Sequence, residues 1–348
     1  MKIAFVLPEI GPGGAERVAT LLAGAWRQAG HSVTLLTLDD GSVPPFHAIP
    51  DGVEHRPLAL QRTSRGLVDA VVANVGRVTR LRGALLDIAP DVVVSFIDQA
   101  NVLTLLAAWR TGIPVVASER VVPNCQPLGR AWRTLRRLTY PWAARLVAPT
   151  KAMAAMMRRW SPRPVEVIPN PVSAPSGVSA ERGKNVLAVG RLVPQKGFDR
   201  LIDAFFALPE DWTLTIAGEG PERGRLEALA AGSSRIHLPG VIADLGPLYA
   251  TCGMFVLSSH YEGFPNALAE AMSAGCPCVA VDCLTGPAEM IVSGVNGLLV
   301  SPSDLASGMC RLAGDDYLRD RLGKARPPEA ESSRGIAEAW LDLFRLVI

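Results

Sequence analysis

Short apolar runs of strand length recur along the whole chain, each followed by a helical stretch, and this alternation narrows the fold further than any other feature. The runs are Lys2–Leu7, Ser32–Leu38, Val92–Phe96, Val115–Ser118 and Arg145–Ala148, then Val186–Val189, Leu214–Ala217, Ile236–Leu238, Phe255–Ser258 and Cys278–Val281. A strand apolar at successive positions has no solvent face, so both of its faces must be covered. Helices between the strands supply that cover and imply parallel sheets. Between Pro171 and Gly183 the composition turns to Pro, Ser, Gly and Ala with no apolar period, which reads as a linker. The expected class is α/β: two doubly wound parallel-sheet domains, Rossmann-like, facing a central cleft. Their expected bounds are 1–172 and 184–331, with a linker over 173–183. A helix over 332–348, anchored by Trp340, Leu341, Phe344 and Leu346, is expected to return to the first domain.

A length of 348 residues with 49% hydrophobic composition suits two domains with large cores. The opening Met-Lys-Ile-Ala-Phe-Val-Leu-Pro is too short an apolar run for a signal peptide and reads as a buried first strand. No uninterrupted apolar run reaches the roughly 18–20 residues of a membrane-spanning helix. The six cysteines are scattered and show no zinc spacing, which fits small buried thiols in a reducing cytoplasm. The net charge of +2 hides an asymmetry: 20 Lys+Arg against 12 Asp+Glu through Asn170, then 15 against 21. The first half therefore suits an anionic surface or substrate.

Several loops that follow strands carry chemistry. Glu262-Gly263-Phe264-Pro265-Asn266-Ala267-Leu268-Ala269-Glu270 sets two carboxylates around a helix start. Pro and Asn favour a helix N-terminus, whose free amides and dipole can hold a diphosphate. Gly190-Arg191-Leu192-Val193-Pro194-Gln195-Lys196-Gly197 places two cations between glycines, a fork and a point charge able to converge on one diphosphate. It lacks the P-loop form, and Gly11-Pro12-Gly13-Gly14 after the first strand lacks the dinucleotide-binding one. Gly218, and Thr285-Gly286-Pro287, follow other strands. Ser118-Glu119-Arg120 ends a buried strand, and reads equally as a structural ion pair or as a pair that meets substrate. No D-x-D occurs, so a diphosphate leaving group must be neutralised by cationic side chains and a helix end.

Together these segments resemble glycosyltransferase family 4, retaining enzymes of the GT-B fold that use nucleotide-sugar donors. The resemblance runs from Gly13–Arg17 and Ser118–Arg120 through Ile168–Val172, Gly190–Phe206 and Ala217–Pro221 to His260–Ala280. The stretches around Ser95–Ala107 and Val115–Arg120 are similar to bacterial members that extend polyprenyl-diphosphate-linked glycans. The resemblance implies that Arg191 and Lys196 hold the donor diphosphate and that Glu270 holds the ribose. It implies backbone contacts to phosphate at Phe264–Ala267, and a Glu262 contact to the transferred sugar. Further donor contacts are implied at Gly13, Gly14, Gly190, Gly218, Val241 and Gly263. Glu262, Arg191, Lys196 and Glu119 are the implied catalytic set, with Glu119 and Arg120 toward the acceptor. Some relatives carry histidine where Glu119 stands, and their proline-arginine-glutamate appears here as Pro287-Ala288-Glu289. No cofactor and no metal are expected, and the donor is expected to be a UDP-sugar.

Segment 130–142 interleaves Arg130, Arg133, Arg136 and Arg137 with Trp132, Leu135, Leu138, Tyr140 and Trp142. It reads either as an interfacial segment on anionic lipid or as a packed helix whose arginine stems cover apolar surface. The first reading implies a cytoplasmic protein held at the inner face of the membrane, beside a lipid-linked glycan acceptor. No recognisable nucleic-acid-binding fold accompanies these arginines. A UDP-sugar 2-epimerase of the same architecture, and a sugar-nucleotide binding protein without turnover, remain as alternatives.

Overall fold

The computed structural model describes residues 1–60, 67–123, 125, 128–172, 182–325 and 333–348. Most of the expected linker, 173–181, lies outside the described residues. In chain order the elements begin β1 (Lys2–Leu7), α1 (Gly14–Gln28), β2 (Ser32–Thr37), β3 (Glu54–Pro57) and α2 (Leu67–Ile88). β4 (Val92–Phe96), α3 (Asp98–Ala108), β5 (Val115–Ser118), α4 (Arg130–Thr139), β6 (Arg145–Ala148), α5 (Lys151–Met157) and β7 (Val165–Val167) follow. Then come β8 (Asn185–Val189), α6 (Phe198–Phe205), β9 (Thr213–Ala217), α7 (Arg223–Ala230), β10 (Ile236–Gly240), α8 (Gly246–Thr251) and β11 (Met254–Leu257). The chain ends with α9 (Asn266–Ser273), β12 (Cys278–Val281), α10 (Pro287–Met290), β13 (Leu298–Val300), α11 (Leu305–Ala313), α12 (Asp316–Lys324) and α13 (Ser333–Arg345).

Two compact units result: Met1–Pro171 with Glu331–Ile348, and Val172–Ala330. The first contains a sheet of order β3-β2-β1-β4-β5-β6-β7, the second one of order β10-β9-β8-β11-β12-β13, and every described pairing is parallel. Both are doubly wound, with strand order reversing beside the first strand of the unit.

The strand alternation explains the uninterrupted apolar runs. In β1, Ile3, Phe5 and Leu7 join one core while Ala4 and Val6 join the core on the opposite face. In β11, Met254 and Val256 face one layer and Phe255 and Leu257 the other. Each strand thus feeds two cores, as successive Cβ atoms alternate across a sheet. The strands absent from the sequence reading, β3, β7 and β13, are all edge strands. β3 reads Glu-His-Arg-Pro, polar where an edge faces water, and β7 and β13 are only three residues long.

α13 completes the first unit's core. Trp26 Nε1 donates to the Ala337 carbonyl at 3.2 Å. The Trp26 ring lies edge-on to Trp340 and Phe344, at centroid distances of 6.2 and 5.2 Å. Such aromatic pairs contribute about 0.5–1.5 kcal/mol each beyond the area they bury.

Candidate functional site

In open α/β sheets, loops at the carboxyl ends of strands part where strand order reverses, and ligands bind there. In the second unit that point lies between β8 and β11. After β8 the chain runs through Gly190 and Arg191 into a 3-10 turn, Pro194–Lys196. Gly197 closes the turn at φ 59°, where a Cβ would stand 2.3 Å from the Ser258 carbonyl. Only glycine permits both that conformation and that approach. Three hydrogen bonds fasten this loop to the one after β11. Ser258 Oγ donates to the Lys196 carbonyl at 2.8 Å, His260 N–H to the Gln195 carbonyl at 2.8 Å, and Gln195 Nε2 to the Tyr261 carbonyl at 2.9 Å.

The fastening brings Lys196 Nζ to 2.6 Å from Glu262 Oε1. Ser259 Oγ donates to the same oxygen at 2.5 Å. Thr285 Oγ1 donates to the Glu262 carbonyl and ties in the loop after β12. Glu262 is 4% exposed, so the pair with Lys196 is largely shielded from water. Breaking such a buried pair from one side costs about 3–5 kcal/mol. A Cβ on Gly190 would lie 3.0 Å from Lys196 Cε, so this glycine clears the path of the lysine stem. A Cβ on Gly218 would strike the Gly190 carbonyl at 1.9 Å, so Gly218 lets the loops after β8 and β9 touch. Arg191 is exposed and, among the described residues, has no acidic partner.

α9 follows this loop, and its N-cap residue, Pro265, makes no side-chain cap. Pro265 precedes it, Asn266 and Ala267 open it, and Gly263 and Phe264 lead in. The positive end of the helix dipole therefore stands beside the Lys196–Glu262 pair. Glu270, inside the helix and buried, accepts a hydrogen bond from Tyr249 Oη at 3.1 Å. Tyr249 escapes a reading based on local spacing, because it stands 21 residues from Glu270 and meets it only through the fold. Val241 is exposed after β10, next to Gly240, whose carbonyl accepts from the Gly218 N–H at 2.8 Å.

In the first unit the reversal lies between β1 and β4. Gly13 is the uncapped N-cap residue of α1 and Gly14 its first residue. The Ser118-Glu119-Arg120 triplet continues the alternation of β5 and sends its charges to opposite faces. Glu119 follows Val115 and Ala117 toward Tyr140 and receives the Tyr140 hydroxyl hydrogen bond. Arg120 turns to the other core, with its Cζ 3.8 Å from the Phe96 ring centroid and its Nη1 bonded to Asn170 Oδ1. The two do not pair with each other, and both are buried. Burial pulls the Arg120 guanidinium well below its usual pKa, and its Nε and Nη2 have no acceptor among the described residues.

A buried network fixes Glu119. Ser95 Oγ donates to Asn101 Oδ1 at 2.7 Å; Asn101 Nδ2 donates to the Ser118 carbonyl at 3.0 Å and to Tyr140 Oη at 3.2 Å. Arg136 Nη1 stands 3.8 Å from Glu119 Oε1. Asp98 opens α3 just after Ile97, whose φ of 76° is an outlier for a β-branched residue. Burial, together with the Asp98 carboxyl, pushes Glu119 up to about 7 against the pull of Tyr140 and Arg136. Burial raises Asp98 as well, while the Gln99 amide and Arg136 pull it down. A cavity of about 50 Å³ lies here, bounded by Asp98, Glu119, Arg133, Arg136 and three aliphatic side chains.

Segment 130–142 divides its faces. Trp132 and Leu135 pack on the core and Arg136 is buried, whereas Arg130, Arg133, Arg137, Leu138 and Trp142 are exposed. Trp142 stacks on the exposed Trp109 with ring centroids 5.8 Å apart. The inward set 132, 135, 136, 139 is a helical stripe, a signal present in the sequence but outweighed there by its arginines.

Residues 12–174 match the family described as Glycosyltransferase Family 4, and residues 183–315 match Glycosyl transferases group 1. The chain carries a glycosyltransferase family 4 domain followed by a glycosyl transferases group 1 domain. A Campylobacter jejuni relative, a GalNAc-alpha-(1->4)-GalNAc-alpha-(1->3)-diNAcBac-PP-undecaprenol alpha-1,4-N-acetyl-D-galactosaminyltransferase, is 27% identical over 99% of this chain and 98% of its own. An exopolysaccharide phosphotransferase of Streptomyces coelicolor is 38% identical over 51% of this chain, a match that spans only 20% of that protein. Among solved structures, HepE of Anabaena in complex with UDP and glucose superposes with a TM-score of 0.75 at 21% identity, over 100% of this chain and 98% of that one. The chain thus has the GT-B fold expected from its sequence.

Proposed function

We propose that this chain transfers a hexosyl or N-acetylhexosaminyl group from a UDP-sugar to a polyprenyl-diphosphate-linked glycan in bacterial polysaccharide or glycoconjugate assembly. The Lys196–Glu262 pair beside the start of α9 carries this reading. Leaving-group charge develops on the diphosphate, and Lys196, the unpaired Arg191 and the α9 amides are preorganised to receive it. Glu262, held by Lys196 and Ser259, is placed to accept hydrogen bonds from the hydroxyls of the transferred sugar. Glu270, oriented by Tyr249, grips the ribose. Retention follows from front-face attack through an oxocarbenium-like transition state, with the donor phosphate taking the acceptor proton. The reaction needs no metal, a reading motivated by the missing D-x-D. The UDP in the HepE complex and the undecaprenol-linked acceptor in the Campylobacter enzyme's name support the two substrate classes.

The same reading places the protein at the cytoplasmic face of the inner membrane. Arg130, Arg133 and Arg137 share the exposed face of α4 with Leu138, and Trp142 follows it. Among the described residues no helix is long and apolar enough to cross a membrane. The deciding experiment incubates the protein with a panel of UDP-sugars and a bacterial membrane lipid extract and follows lipid masses. A gain of one hexose or N-acetylhexosamine on a lipid-linked glycan is expected. Epimerisation or hydrolysis of the donor with no glycolipid product overturns the reading.

A further inference from the structure

The cavity beside Glu119 has a ligand preference written in its free atoms. Tyr140 occupies Glu119 Oε1 and the Gln99 amide occupies Asp98 Oδ1. Among the described residues, Glu119 Oε2 and Asp98 Oδ2 accept no hydrogen bond. Arg136, only 5% exposed and lining the same cavity, keeps its Nε–H buried with no acceptor. Two free acceptors and the Arg133 and Arg136 side chains therefore meet around a cavity of about 50 Å³. A water needs roughly 10–15 Å³ of such volume, so the space takes a hydroxymethyl-sized group and excludes a sugar ring.

Charge narrows the ligand further. Two carboxyl groups near each other in a buried place retain one proton between them. The groups that face them are Arg133 and Arg136 from α4 and Tyr140 from the turn after it. An anion would meet the carboxylate, and a cation would meet the guanidinium groups. An uncharged hydroxyl, donor and acceptor at once, matches both. We infer that this cavity is a subsite for one uncharged hydroxyl arm of the acceptor sugar, read by the free oxygens of Asp98 and Glu119 and by the Arg136 guanidinium that lines it. The inference rests on the transferase reading above and adds Asp98 and Arg136 to acceptor recognition.

The test uses the full chain, wild type and Asp98→Asn, Glu119→Gln and Arg136→Lys. Carboxyl ¹³C resonances of Asp98 and Glu119 are followed by NMR while methyl glycosides, and their 6-deoxy counterparts, are titrated in. In parallel, transfer onto the lipid extract gives KM for acceptor and donor as a function of pH. The methyl glycosides should shift both resonances, and deoxygenation of the recognised hydroxyl should abolish the shift. Each variant should raise the acceptor KM by about tenfold or more, the scale of one charge-assisted hydrogen bond, with donor KM unchanged. The wild-type acceptor KM should climb as pH rises through about 7. That limb should move to lower pH in Asp98→Asn and vanish in Glu119→Gln. Should Glu119→Gln not fold, the other two variants carry the same readout. Unmoved carboxyl resonances and an unchanged acceptor KM, with UDP binding and turnover intact, overturn the subsite and leave the transferase reading standing. Absent UDP binding and absent turnover in the wild type overturn both.

Discussion

Glu119 and Glu262 are both buried carboxylates in loops beyond the carboxyl ends of parallel strands, yet their surroundings treat them oppositely. Glu262 has an ammonium group at 2.6 Å and a hydroxyl on the same oxygen. Glu119 has its guanidinium partner at 3.8 Å, a phenol on one oxygen and a second carboxyl nearby. One pair is closed by direct contact; the other is poised to hold a proton. Sheet topology selects the place, while burial and the Asp98 carboxyl raise Glu119. The same fold can therefore bring a carboxylate locked in an ion pair to one place and a carboxyl of raised pKa to another.

The sharpest break of this contrast comes from Lys196→Ala. It strands the Glu262 charge and removes a diphosphate cation, and turnover should fall by roughly 2–4 kcal/mol of transition-state stabilisation. Lys196→Ala/Glu262→Ala should recover part of the thermal stability lost by the single variant, because the stranded charge is gone. Equal Tm values for the two would show that Glu262 does not depend on Lys196. Arg191→Ala, which breaks no ion pair among the described residues, should lose turnover with Tm unchanged. Exhaustive chelation should leave wild-type rates where they were; a requirement for added Mg²⁺ or Mn²⁺ would mean that these cations do not suffice.

Glu119 offers a subtler break, through pH. Its folded pKa, near 7, lies above the ordinary 4.5, so its contribution to stability is fully present below about 4.5 and lost as pH rises to about 7. Across that window the wild type should lose on the order of 3 kcal/mol through this group. Glu119→Gln should flatten that slope in urea melts at several pH values. An unchanged slope would remove the raised pKa from the account.

The smallest expected effect lies at the surface. Basic residues beside an anionic leaflet contribute about 1 kcal/mol each. Reversing Arg130, Arg133 and Arg137 to glutamate should release the protein from anionic vesicles while sparing UDP binding. Arg136 must be left intact, since it faces Glu119. Vesicle binding that survives the reversal would make α4 a packed helix and nothing more.

The fold was legible where strands are covered on both faces, because a doubly buried strand cannot hide its apolar run. It was not legible at three of the four edges: Glu54–Pro57 is polar, and Val165–Val167 and Leu298–Val300 are too short to form a pattern, whereas the edge strand Ile236–Gly240 showed through its Ile236–Leu238 run. In the candidate site, segments continuous in sequence announced themselves, as Gly190–Gly197 and Glu262–Glu270 did. Partners supplied from elsewhere did not. Tyr140, Tyr249 and Asp98 reach their carboxyl neighbours only through strand order and helix placement. Arg136 was legible as a charge but not as an inward-facing one.

The return of α13 to the first unit has a consequence for how the molecule comes into being. Trp340 and Phe344 close the core around Trp26, yet on the ribosome they emerge after the whole of the second unit. The second sheet can finish folding while the first still waits for its closing aromatics. Until α13 emerges, the nascent first unit therefore keeps an apolar face uncovered, a window in which chaperones have something to hold.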